Sequence, residues 1–156
     1  MLDSFLISSD IQRKWIKKFK TIEDTFKQRA AEEDIDSKFP FDNIKWLVEE
    51  GYSVLTLPKS YGGEGATIED MVILQSYLGA IDGATALSIG WHLSVVGQLY
   101  EQNMWEQSML NTFANEIVNG ALVNRAVSEA ETGSPTRGGR PGTHAVKEDN
   151  GYVLNG

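Results

Sequence analysis

The sequence predicts a mainly α fold, with a helical domain over residues 1–120 followed by a short β region over residues 121–156. Two observations carry this. Apolar residues recur at spacings of three and four from Ile11 to Ile117, in blocks separated by Gly and Pro. After Gly120 the period falls to two, and an Asn150-Gly151 pair marks a hairpin turn.

The elements follow in order. Ser9 or Asp10 caps a first helix whose stripe is Ile11, Trp15, Phe19, Ile22 and Phe26, with lysines on the opposite face. A short second helix fits FDNIKWLVEEG, with Pro40 ahead of it and Gly51 as its stop. The linker YSVLTLPKSYGGEGAT holds Pro58 and a Gly62-Gly63-x-Gly65 cluster that a helix would not tolerate. Thr67 and Asp70 form a capping-box pattern before a third helix through Met71, Leu74, Leu78 and Ile81.

The fourth helix, DGATALSIGWHLSVVGQLYEQ, is apolar nearly all round. Such a helix is expected to be buried on most sides, with Gly90 and Gly97 admitting another backbone. WEQSMLNTFANEIVNG is a fifth, amphipathic helix ending at Gly120. ALVNRAVS then alternates as a strand, and THAVKED with YVLNG forms a hairpin around Asp149-Asn150-Gly151. Two or three strands are marginal alone, so the chain is expected to be the front part of a longer protein or to depend on a partner.

Composition narrows the function. With 41% hydrophobic and 23% charged residues, the chain has the balance of a globular protein with an ordinary core. A net charge of −8 argues against broad binding to nucleic acid or anionic membranes. Seven of the 14 Lys and Arg residues lie between Arg13 and Arg29, read as a solvated helix face with i,i+4 pairs. There is no cysteine, which excludes disulfide and thiolate chemistry. His92 and His144 are too far apart to suggest a metal site, and no metal ligand set is expected. Without a signal-like N-terminus or an apolar run of spanning length, a cytoplasmic protein is expected.

Three stretches have chemical potential. YGGEGAT precedes a helix but lacks the lysine and preceding strand of a nucleotide loop, so a tight turn needing positive φ is the expectation. His92, in SIGWHLS, has no acid or nucleophile partner in sequence and reads as a satisfied core residue. The third stretch is VSEAETGSP, Val127 to Pro135. Its amides with Ser128, Thr132 and Ser134 can donate to a pyrophosphate or a heterocycle. Equally, Glu131 adds charge, Pro135 removes a donor, and the stretch fits a plain connection. By chemistry alone the plain strand connection is slightly favoured over the binding loop.

Taken in order, LPKSYGGEG, GATALSIGWHLSV, SEAETGSP and GYVLNG resemble the acyl-CoA dehydrogenase family. Its members carry P-x-x-Y-G-G-x-G, an A-L-S-x-G-x-H-type helix, T-E-P-x-A-G-S-D and a strand ending Y-x-L-N-G. The resemblance covers roughly residues 50 to 156. It implies an N-terminal helical domain of acyl-CoA dehydrogenase type, then the first strands of an incomplete β-barrel domain. It also implies FAD and α,β-desaturation of an acyl-CoA thioester, as in fatty acid metabolism. Electron-transfer flavoprotein or another acceptor, and a homo-oligomer, are the implied partners.

Matched by position, the resemblance sets Arg125, Ala126, Val127 and Ser128 beside the flavin ring. Gly133 and Ser134 fall at the pyrophosphate side, with Ser134 also reaching the substrate. Ser128 keeps the hydroxyl of the family's threonine, Ala130 replaces its proline, and Arg125 stands where an aromatic residue is common. The family's catalytic glutamate comes from the C-terminal bundle, so no catalytic residue is expected in this chain and the fragment alone is expected to be inactive. Two other readings remain: a flavin-dependent monooxygenase of the same fold, and a helical interaction module without cofactor.

Overall fold

The structure, a computed structural model, describes residues 7–125, 127–129, 132–133 and 138–156. Five helices come first: α1 (Asp10–Ile35), α2 (Phe41–Glu49), α3 (Ile68–Ile81), α4 (Gly83–Gln102) and α5 (Gln107–Val118). They are followed by β1 (His144–Glu148) and β2 (Gly151–Asn155). The chain divides into two compact units between Asn124 and Arg125. The mainly α class and the order of helices before strands agree with the sequence expectation.

In the helical unit, α1 begins at Ser9, whose hydroxyl accepts from the Gln12 amide at 3.1 Å. The Gln12 side chain closes the box by accepting from the Ser9 amide at 3.3 Å. The spacing of Trp15, Phe19 and Phe26 turns all three inward, where they are fully buried. Tyr52 meets Trp15 and Phe19 edge-on, at centroid distances of 4.7 and 5.3 Å. Leu47 of α2, Leu74 and Leu78 of α3, and Ile89 and Leu93 of α4 complete this core. Each such side chain contributes about 1.5–3 kcal/mol by leaving water. A second cluster joins Leu57, Val96, Ala114 and Ile117, with Val123 packed against it.

Two expectations about α4 are corrected. Its glycines admit side chains rather than backbone: the Gln75 amide lies 3.0 Å from a Cβ built on Gly90, and Thr56 Cβ lies 3.3 Å from one on Gly97. The space at Gly97 lets the Thr56 hydroxyl donate to the Leu93 carbonyl at 2.7 Å. Nor is α4 enclosed within its unit, because Leu87 and Trp91 are 66% and 54% exposed. The basic face of α1 is only partly held by i,i+4 pairing. Lys27 meets Glu23 at 2.5 Å, whereas Lys14 and Lys18 reach Glu64 and Glu50 across the fold.

The helical unit ends tightly. Gly120 (φ 94) donates to Ile117 and Ala121 donates to Glu116, satisfying the last carbonyls of α5 in a Schellman arrangement. The strand expected over ALVNRAVS is not formed: residues 121–125, 127 and 128 are non-strand, and Ala126 lies outside the described residues. The physical reason is visible at Val123, whose N–H goes to the His92 ring instead of a ladder.

In the second unit, β1 and β2 pair antiparallel from His144↔Asn155 to Glu148↔Gly151. The two-residue loop is therefore Asp149-Asn150, and Gly151 is already a strand residue rather than part of the turn. Every residue of the hairpin is exposed within its unit.

Candidate functional site

The glycine loop of the helical unit is a structural turn. Gly62 and Gly65 have φ of 89 and 64, which glycine adopts without strain. A Cβ on Gly63 would stand 2.0 Å from the Leu57 carbonyl oxygen, so only glycine fits there. The amides of Gly62, Gly63, Glu64, Gly65 and Ala66 donate to Lys59, Pro58, Val54, Leu57 and Leu55, leaving none of the five to cradle an anion. Glu64 fastens the loop to α1 by accepting from Lys14 Nζ at 2.7 Å and Trp15 Nε1 at 3.1 Å.

His92 is 2% exposed and uses both ring nitrogens. Nδ1 accepts from the Val123 amide at 3.0 Å, so the proton sits on Nε2, which donates to the Ser53 carbonyl at 2.8 Å. Burial pulls its pKa below the ordinary imidazole value, against the smaller opposing effect of the Ser53 carbonyl. A neutral ring with two fixed partners matches the core reading of the sequence.

A cleft of about 780 Å³ opens between the start of α3 and the C-terminal half of α4. Thr56, Ile68, Met71, Leu93, Gly97 and Tyr100 are among its walls. Among the described residues, none of the site residues expected from sequence lines it.

Those residues fall on the segment that opens the second unit. Arg125, Val127, Ser128 and Gly133 are described; Ala126 and Ser134 lie outside the described residues. Val127 is exposed, as is Ser128. Gly133 (φ 70) closes a five-residue loop by exchanging two backbone hydrogen bonds with Glu129, at 2.9 and 3.1 Å. Its N–H is thus committed to Glu129, and its contribution is conformation. The Thr132 hydroxyl, one of the expected donors, also points inward and donates to Glu129 Oε2 at 2.7 Å.

Glu129 organises this segment. Besides Thr132, its carboxylate accepts from the Gly142 amide at 2.6 Å and the Thr143 amide at 2.8 Å. Hydrogen bonds from Thr143, then Thr132 and Gly142, hold the carboxyl down to about 2. The residue ties the base of the loop to the lead-in of β1, 13 and 14 residues away in sequence. Sequence reasoning weighed Glu131 as an unwanted charge and passed over Glu129. The available signal was a carboxylate acceptor in a stretch otherwise rich in donors.

Among the described residues no group of His, Asp and Glu side chains is arranged to hold a metal ion, and no helix is long and apolar enough to cross a membrane.

Residues 11–109 match the family model of the acyl-CoA dehydrogenase N-terminal domain, more than half of the chain. YdbM of Bacillus subtilis, which carries an acyl-CoA dehydrogenase name, is 52% identical over 153 residues. That alignment takes in 98% of this chain and 40% of YdbM. The short-chain-specific acyl-CoA dehydrogenase of Clostridium acetobutylicum is 26% identical over 94% of this chain and 38% of its own length. A 3-sulfinopropanoyl-CoA desulfinase of Cupriavidus necator is 26% identical over 84% of this chain and 32% of its own. The chain therefore spans two fifths or less of the length of these relatives. A helical unit built on α1 to α5, a glycine turn locked by its own amides and a match to the family model over that same unit agree on one conclusion: the chain belongs to the acyl-CoA dehydrogenase family.

Proposed function

We propose that the chain is the front part of an FAD-dependent oxidoreductase that removes hydrogen from the α,β positions of an acyl-CoA thioester. The carrying observation is the 52% identity to YdbM over nearly the whole chain. In this reading residues 1–120 are the N-terminal helical domain and residues 121–156 begin the β-domain. Arg125, Ala126, Val127 and Ser128 would lie beside the flavin ring, with Gly133 and Ser134 toward the pyrophosphate and Ser134 toward the substrate.

The described residues fit that assignment in kind. Ser128 supplies an exposed hydroxyl and Gly133 a left-handed turn, on a loop braced from within by Glu129. Bound FAD would take up the hydride, and the chain's own part is to present this braced segment and the Leu87–Trp91 face of α4. The base that takes the α-proton would come from the remainder of the protein, so the 156-residue chain alone turns over no substrate. Acyl-CoA as substrate, an electron-transfer flavoprotein as acceptor and homo-oligomerisation belong to the same proposal.

The relative named as a desulfinase shares a CoA-thioester name with a different chemistry, which supports the thioester more firmly than the desaturation. The test is to purify the full-length protein and add saturated acyl-CoAs under anaerobic conditions. Bleaching of an oxidised-flavin band supports dehydrogenation. A colourless protein that takes up no FAD refutes the flavin reading. A flavin left unreduced by every thioester refutes desaturation.

A further inference from the structure

We infer that His92 is a positioning residue for the flavin segment, acting through the backbone of Val123. The inference rests on the assignment of Arg125–Ser128 proposed above, and it adds a residue that contacts none of them. The chain leaves α5 through Gly120 and must be aimed before it reaches Arg125. Three devices do this inside the helical unit. The Schellman arrangement turns the chain at Gly120 and Ala121. Val123 packs on Leu57, Val96, Ala114 and Ile117. The His92 ring then takes the Val123 N–H at 3.0 Å while its other nitrogen holds the Ser53 carbonyl at 2.8 Å.

The ring thus spans two backbone groups from separate parts of the unit, the 3-10 turn Tyr52–Val54 and the exit strap, from the middle of α4. Both of its bonds are needed in one protonation state. Only the neutral ring with the proton on Nε2 offers an acceptor to Val123 and a donor to Ser53. A planar group with an acceptor and a donor about as far apart can replace it, which an aliphatic side chain cannot. With the strap released, Arg125, two residues beyond Val123, loses its fixed starting point. A flavin segment that starts from an unanchored strap would then have to be ordered at the moment of binding.

The test compares H92Q and H92L with the natural protein. Glutamine presents an amide oxygen to Val123 and an amide N–H to Ser53; leucine fills the space with neither. In the full-length protein, H92L is expected to weaken FAD affinity roughly tenfold in its folded fraction, and H92Q to restore most of it. A folded H92L that binds FAD as well as the natural protein overturns the inference, since a merely structural histidine would lower stability and leave the affinity of the folded form alone.

Hydrogen exchange of the Val123 amide in the 156-residue chain separates this from failure of the flavin reading. Protection in the natural chain and in H92Q, with exchange roughly tenfold faster in H92L, is the expected pattern. If the natural full-length protein takes up no FAD, the flavin reading fails and with it the functional half of the inference, while the exchange result still shows whether the strap is held. Equal exchange in all three overturns the strap itself.

Discussion

Asp70 offers the sharpest test of how this fold is held. It is the N3 residue of α3, and its carboxylate accepts four hydrogen bonds. Oδ2 takes the Thr67 amide at 3.0 Å and its hydroxyl at 2.8 Å, closing the capping box of α3. Oδ1 takes the Ser9 hydroxyl at 2.5 Å and Gln12 Nε2 at 2.8 Å, so the start of α1 hangs on the start of α3. Replacement by alanine removes a cap, worth about 1 kcal/mol. It also leaves the Gln12 amide, which is wholly buried, without its acceptor. That adds about 1–3 kcal/mol.

Ser9 is only partly buried and can turn to water, so its bond contributes less. The expected loss for D70A is about 3 kcal/mol, which corresponds to roughly 6–12 °C in Tm for a chain of this length. Urea unfolding at pH 7 followed by far-UV circular dichroism measures it, and a double-mutant cycle with Q12A should show coupling near 1 kcal/mol. Burial pushes the Asp70 carboxyl up, yet the bonds from Ser9, Thr67 and Gln12 outweigh it and the net value lies below the ordinary 3.8. A depressed folded value means the stabilisation is complete above about pH 4 and is lost as pH falls through the folded pKa. The gap between D70A and the natural chain should therefore narrow only below pH 4. A loss under about 1 kcal/mol at pH 7, or strict additivity with Q12A, would refute the shared-cap reasoning.

Other outcomes follow from single features. Gly63→Ala drives a methyl into the Leu57 carbonyl, and the displaced turn should destabilise the chain by about 1–3 kcal/mol or more in the same urea assay; unchanged stability would show that the turn is not closed as described. Glu129 should titrate near 2 by carboxyl carbon NMR, so the loop clamp is present above the ordinary value of 4.5 and is lost only as pH falls through about 2; a midpoint near 4.5 would mean that Gly142, Thr143 and Thr132 do not hold it. Leu87 and Trp91 leave an apolar face on α4, so the 156-residue chain should self-associate with rising concentration on size exclusion and the L87E/W91E double variant should not; a compact monomer at all concentrations would count against that face being adhesive.

How much was legible in the sequence differs between the two units. Helices α1 to α5 were legible because amphipathic spacing and caps act within a few residues, and Ser9, Thr67 and Gly120 signal termini whatever surrounds them. The glycine turn was legible in kind, since Gly62 and Gly65 need positive φ that few other residues tolerate. ALVNRAVS was misread because alternation describes a chain that can pair. It cannot say that Val123 will spend its N–H on a histidine 31 residues earlier. In the candidate loop Thr132 was recognised as a donor by type, but its partner Glu129 was not. A carboxylate that collects amides from Gly142 and Thr143 is a non-local event with no spacing rule behind it.

The sequence by itself determined the helical class, the helix termini and, through four ordered motifs, the resemblance to the acyl-CoA dehydrogenase family. Those follow from local sterics, periodicity and residue type. Only the tertiary structure decided what the buried polar groups do: that Asp70 joins two helix starts, that His92 is neutral and straps the exit of its unit, and that Glu129 braces the candidate loop. The physical reason is that a buried polar atom must find a partner, and which partner is within 3 Å is settled by packing rather than by order along the chain.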